Sequence, residues 1–200
     1  YPEEGFFLPE RVEFEAEEYW NIFCRILNQI ESPIDALAVD TQCETLILTD
    51  ESGVPVRDAI VWLDNRATAE AEMIEKHFGR KCVYDVTGQP EVTATWPASK
   101  LLWVRDNKPE VFLKAKKIFM LEDWILYSLT GEFVSEPTIQ SSTVYFDITH
   151  RDWWDEMLDF IGVEKEQLPD LLDSAKYVGE YKGIKVITSA IDQIAGAIGA

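Results

Sequence analysis

Ala59-Ile60-Val61-Trp62-Leu63-Asp64-Asn65-Arg66 runs an apolar strand into a turn that offers an indole, a carboxylate and a guanidinium together. Polar groups gathered at a strand's end suggest a ligand site. An aromatic ring covers the C–H face of a polyol or sugar, while Asp and Arg supply acceptors and forked donors to its hydroxyls. A plainer reading stands beside it, in which Trp62 is ordinary core and Asp64 caps the helix that Arg66 enters.

Working outward, the pattern is one of alternating helices and strands. Residues 13–30 place Ala16, Tyr19, Trp20, Phe23, Ile26, Leu27 and Ile30 at three- and four-residue spacings, which predicts an amphipathic helix that needs a sheet to cover. Stretches 34–39 and 45–49 read as strands, and Asp50-Glu51-Ser52-Gly53 as a tight turn before the strand at 59–62, so a small sheet is implied. From Arg66, the spacing of Ala67, Ala71, Ile74 and Phe78 predicts a helix stopped by Gly79 as a left-handed residue.

Further on, Pro97 opens a helix carrying Leu101, Leu102 and Val104, and a short helix follows Pro109 before a strand at 117–121. Helices at 124–129 and 153–161 are closed by Thr130-Gly131 and Gly162, with a polar, strand-rich excursion at 132–148 between them. Gly183 precedes a last strand at 184–187. No repeat or linker divides the chain, so residues 1–200 read as one α/β domain. The start at Tyr1-Pro2 without Met and the small-residue run 194–200 read as cut ends, the latter expected to abut another element.

Composition narrows the function classes. With 46% apolar and 12% aromatic residues, 200 residues suffice for a sizeable core. Thirty-seven acids against 18 bases give a net charge of -19, which repels polyanions and argues against nucleic acid as a partner. The absence of a long apolar run and of a basic-then-apolar start argues against a membrane span or a signal peptide, and the chain reads as cytoplasmic. Cys24, Cys43 and Cys82 are odd in number and widely spaced, as reduced thiols are, and with His77 and His150 they make no metal-ligand spacing. Cys24 reads as core on the first helix; Cys43, with no base or cation beside it in sequence, reads as a packing residue rather than a nucleophile.

Two further stretches stand where strands end: Asp40-Thr41-Gln42-Cys43-Glu44-Thr45 and Ala190-Ile191-Asp192-Gln193-Ile194-Ala195-Gly196. Ligands of α/β sheets sit beyond such ends, so Glu44, Trp62, Asp64 and Asp192, each taken to follow a strand of one sheet, are expected to share a cleft bordered by Cys43. From these residues alone, Asp192 reads more readily as a helix N-cap than as a catalytic group. Trp96 is either a second aromatic wall or, beside Pro97, a helix-start core residue.

Gln42-Cys43-Glu44-Thr45, Trp62-Leu63-Asp64-Asn65-Arg66, Thr87-Gly88, Lys100-Leu101-Leu102-Trp103, Asp123-Trp124, Leu129-Thr130-Gly131-Glu132, Asp147 with Arg151-Asp152-Trp153, and Asp192-Gln193 follow one another in order. That ordered series resembles the FGGY family of carbohydrate kinases, although no single motif is specific. The resemblance implies an α/β, ribonuclease H-like (actin-like ATPase) N-terminal lobe, incomplete at both ends, that serves ATP-dependent phosphorylation of a sugar or polyol hydroxyl. It implies Asp192 as the base that takes the hydroxyl proton, and Gln42, Cys43, Glu44, Trp62, Asp64 and Gln193 as substrate contacts. ATP and Mg2+ would be held mainly by parts outside this chain, a missing C-terminal lobe among them, and a homodimer is compatible.

Three departures qualify the match. The family's Asp-x-Gly-Thr phosphate loop has no counterpart here, Ile191 stands where many members place Gly, and Cys43 replaces an Arg found in some of them. A second functional class is therefore carried: a non-catalytic sugar-binding or regulatory actin-like module. A glycosidase using Asp64 and Asp192 as paired carboxylates is a third, without support from the ordered motifs.

Overall fold

A computed structural model describes residues 10–200; the reading of the Tyr1-Pro2 start lies outside them. The first half contains β1 (Glu13–Phe14), α1 (Ala16–Leu27), β2 (Ala36–Ala38), β3 (Leu46–Thr49), β4 (Ala59–Ile60), α2 (Thr68–Phe78), α3 (Arg80–Thr87) and α4 (Pro97–Asn107). There follow α5 (Pro109–Lys114), β5 (Lys117–Met120), α6 (Leu121–Thr130), β6 (Val134–Ser135), α7 (Pro137–Gln140), β7 (Phe146–Asp147) and β8 (Asp152–Trp153). The last elements are α8 (Asp155–Ile161), a 3-10 turn at Lys165–Gln167, β9 (Asp170–Leu171), β10 (Tyr177–Tyr181), β11 (Ile184–Ile187) and α9 (Asp192–Gly199).

A four-stranded antiparallel sheet ordered β1-β4-β3-β5 forms the centre, with Leu46 opposite both Ile60 and Met120. β3 is buried at all four positions because both faces of the sheet are covered. Alternation along the strand divides its side chains: Leu46 and Leu48 enter a core with Ile74 of α2 and Leu101 of α4, while Ile47 joins Phe119 and the α6 residues Trp124 and Ile125.

A second, three-stranded sheet has the order β10-β11-β2. β10 and β11 form an antiparallel hairpin turning through Lys182 and Gly183, both at positive φ, and β11 runs parallel to β2 with Ile187 opposite Ala38. The stretches at 34–39 and 45–49 thus belong to different sheets, and the expectation of one sheet beneath all the site turns is corrected. Residues 39–45 form the crossing between them.

Other differences are local. Gly79 has φ 79° and ψ 142°, a positive-φ conformation outside the left-handed helical region, so α2 stops and α3 begins at once; α3, a short helix turning Val83 and Val86 to the core, was not expected. Cys24 is half-buried and not core, and α1 also leaves Ile22 and Ile26 exposed. The run after Ile191 forms α9, with Ile198 80% exposed. Gly53 holds φ 82° in the predicted turn, and an added Cβ there would meet the Tyr127 ring at 2.2 Å, so this turn needs glycine.

Candidate active site

Three turns build the site. In the crossing after β2, Thr45 is fully buried, and its Oγ1 accepts from Gln42 Nε2 (3.2 Å) and from the Trp62 backbone N–H (3.3 Å). One hydroxyl thereby pins the first turn to the second. Glu44 between them adopts φ 58°, which is unusual for a residue other than glycine and turns the backbone sharply. Behind both turns, fully buried Lys100 of α4 donates from Nζ to the carbonyls of Glu44 (2.8 Å) and Val61 (3.0 Å).

The third turn brings in Asp192 at the start of α9. Glu136 accepts from the Thr138 N–H (2.7 Å) and the Ser174 hydroxyl (2.8 Å), and Thr138 Oγ1 in turn accepts the Ile191 N–H (3.0 Å). The residue before Asp192 is therefore anchored to α7. Ile191, not Asp192, is the N-cap of α9, and the Asp192 carboxylate accepts from the adjoining Gln193 N–H (2.8 Å) without closing the helix end.

These turns enclose a cleft of about 290 Å³ lined by Gln42, Cys43, Glu44, Trp62, Asp192 and Gln193. Its size suits a small ligand of a few hydroxyl groups. Trp62 is 39% exposed and forms a wall, not core. Cys43 Sγ lies 4.0 Å from Asp192 Oδ1, at the limit of a sulfur hydrogen bond. Burial, followed by the neighbouring Glu44, pushes the Cys43 thiol up, which disfavours the thiolate and suits a packing residue. Burial also lifts the Glu44 carboxyl, against the opposing pull of Ser142 and Lys100.

Asp64 is not part of this lining. It is fully buried, with Arg66 Nε on Oδ1 (2.8 Å), Arg66 Nη2 on Oδ2 (2.6 Å) and the Val12 N–H on Oδ2 (2.6 Å). With its acceptors occupied by protein donors, it shapes the turn beneath Trp62 and does not reach the cleft. It does not cap α2 either, whose N-cap is Ala67. Trp96 precedes α4 half-buried, its Nε1 donating to Glu91 O (3.1 Å), outside the cleft lining.

Sequence reasoning missed Thr45, Lys100, Glu136 and Thr138, all of which hold the site turns from behind. Lys100 alone carried a signal, as a cation inside the otherwise apolar run of α4. It also missed the buried acids behind the cleft, Glu122 and Asp123, pushed up to about 9 and about 7, each chiefly by burial. A larger groove of about 600 Å³ along α2 is walled by charged side chains that satisfy one another, such as Arg80 and Glu75 (3.1 Å), and converges on no reactive group.

Among the described residues, no group of three or more His, Cys, Asp or Glu is placed to hold a metal ion. No described helix is long and apolar enough to cross a membrane.

Residues 7–199 match the model of the FGGY family of carbohydrate kinases, N-terminal domain. The chain belongs to the FGGY family. It is 33% identical over 193 residues to a glycerol kinase of Thermococcus gammatolerans, covering 91% of this chain and 38% of the relative. It is 27% identical to a xylulose kinase of Escherichia coli, covering 94% of this chain and 41% of that protein. A ligand-bound xylulose kinase from Lactobacillus acidophilus superposes with a TM-score of 0.85 at 25% identity, over 98% of this chain and 44% of the other. This FGGY chain therefore has the actin-like, ribonuclease H-like fold of the family's N-terminal domain and spans about 40% of the length of these relatives.

Proposed function

We propose that this chain is the substrate-binding part of a kinase that transfers the terminal phosphoryl group of ATP to a hydroxyl of a sugar or polyol. The observation carrying this reading is that Asp192 stands on the same small cleft as Glu44 and Trp62, although roughly 150 and 130 residues separate it from them. The Trp62 indole covers the C–H face of the substrate, and Gln42, Glu44 and Gln193 exchange hydrogen bonds with its hydroxyls. The Asp192 carboxylate accepts a hydrogen bond from the reacting hydroxyl, orients its oxygen, and takes its proton as the new O–P bond forms. ATP, held mainly by a further lobe, supplies the phosphoryl group. The neutral amides and carboxylates of the lining suit an uncharged polyhydroxyl compound of the glycerol or pentulose class.

In the full-length protein, Asp192→Asn keeps side-chain size and one acceptor but removes the base. Turnover should then fall by about 10²-fold or more while the KM for the sugar changes less. A folded Asn variant with near wild-type turnover would remove Asp192 from catalysis. Sugar binding by the wild-type protein without any ATP turnover would favour the regulatory module instead.

A further inference from the structure

The Glu44 turn and the Trp62 turn both line the cleft, yet they come from a crossing between sheets and from the end of β4. Neither is held in a continuous ladder at the residues that face the cleft: β4 ends at Ile60, and β3 begins at Leu46. What fixes one turn against the other lies behind them. Lys100 is 0% exposed, and its Nζ bonds Glu44 O at 2.8 Å and Val61 O at 3.0 Å, the carbonyls directly preceding Thr45 and Trp62.

From this geometry we infer that Lys100 is a positioning residue for sugar binding, tying the Glu44 and Trp62 turns together through their backbone carbonyls. The platform beneath it is rigid, since α4 is buried at every residue from Pro97 to Val104. An alkyl side chain would occupy the same space without desolvating a cation, but it would take the ammonium donor from the Glu44 carbonyl and leave the Val61 carbonyl with the Asp64 N–H (3.0 Å) alone, so that nothing at this point joins the two turns. The positive φ of Glu44 makes the tie more consequential, because that carbonyl is held where a peptide in the usual region would not place it. Burial lowers the Lys100 ammonium to about 7, with Asp64 and Glu44 pulling upward and Arg66 downward. The tie survives either protonation state, since a neutral amine still has two N–H donors for two carbonyls.

The kinetic part of this inference rests on the proposed kinase reading; the structural part does not. In the full-length protein, Lys100→Met should raise the KM for the sugar about tenfold or more and leave the KM for ATP within about twofold. Amide hydrogen exchange should quicken over residues 42–46 and 60–64 while α6 is unchanged. Lys100→Arg, which restores buried donors, should return the sugar KM towards the wild-type value. If the Met variant does not fold, Lys100→Gln, with a donor on a shorter stem, should show the same selective change in smaller measure.

A folded Met or Gln variant with unchanged sugar KM and unchanged exchange at both turns overturns the inference. So does an equal loss of sugar and ATP saturation, which would make Lys100 a general packing residue. If the wild-type protein phosphorylates no sugar, the kinase reading fails, and the exchange measurement still decides the role of Lys100.

Discussion

Asp64→Asn should weaken the fold far more than it weakens sugar binding. The substitution keeps the shape of the side chain but removes the negative charge that faces the Arg66 guanidinium, whose side chain is only 4% exposed. Breaking a buried ion pair by neutralising one partner costs about 3–5 kcal/mol, because the other charge stays buried. Arg66 retains Glu13 on Nη1 at 2.6 Å, and that partly exposed carboxylate offsets some of the loss. The expected destabilisation is therefore about 2–4 kcal/mol, or roughly 5–15 °C in the melting temperature of a domain this size. Thermal and urea unfolding of both forms, with sugar KM measured on the folded enzyme, provide the comparison.

The pH dependence supplies a second check on Asp64. Burial pushes its carboxyl up, but the Arg66 fork and the Val12 N–H outweigh that and hold it below the usual value. A depressed carboxylate contributes stability that is present above the unfolded value near 3.8 and is lost as pH falls through the lower folded one. The gap between wild type and Asp64→Asn should accordingly close on acidification. A variant within about 1 kcal/mol of wild type at pH 7, with the sugar KM raised tenfold, would refute this account and return Asp64 to the cleft.

Trp62→Ala should leave stability within about 1 kcal/mol, since the ring is 39% exposed, and raise the sugar KM roughly tenfold through loss of the stacking wall; an unchanged KM would remove the ring from the site. Burial, with Asp123, Glu136 and Asp40 nearby, pushes Glu122 up to about 9 from 4.5, so its contribution to stability is full below pH 4.5 and is lost as pH rises to about 9. Glu122→Gln should therefore melt higher than wild type at pH 8, with the advantage disappearing at pH 4; equal melting temperatures at both would contradict the shift. Iodoacetamide at pH 8 should modify exposed Cys82 and spare buried Cys43, as peptide mass mapping would read, and preferential labelling of Cys43 would overturn its assignment as a packing residue.

The helices were legible because their signals are local. Apolar spacing marked α1, α4, α6 and α8, and Gly131 and Gly162 end the last two with φ 80° and 78°. Strand partnership was not legible: β2 pairs with β11 nearly 150 residues away, and nothing in a short apolar run states its neighbour. The cleft survived this error because residues 39–45 cross between the sheets and carry Gln42, Cys43 and Glu44 to the place where Trp62 and Asp192 arrive. Asp64 was misplaced for a different reason. Sharing a turn with Trp62 does not fix which way a carboxylate points: the Asp64 N–H closes the turn onto Val61 O at 3.0 Å, and the Arg66 side chain and Val12 N–H hold the carboxylate inward.

Lys100 shows where a purely local reading could have gone further. The core rule expects a lysine to stay near the surface unless something in the fold requires it inside, and the run from Pro97 to Val104 has no other charged residue. Sequences break such rules chiefly at functional or strained positions. Here the exception lies behind the two turns that face the cleft, its ammonium spent on their carbonyls at 2.8 and 3.0 Å and not on a substrate. A charge out of place in a helix can therefore mark a site indirectly, by fixing the backbone that carries the residues which do the binding.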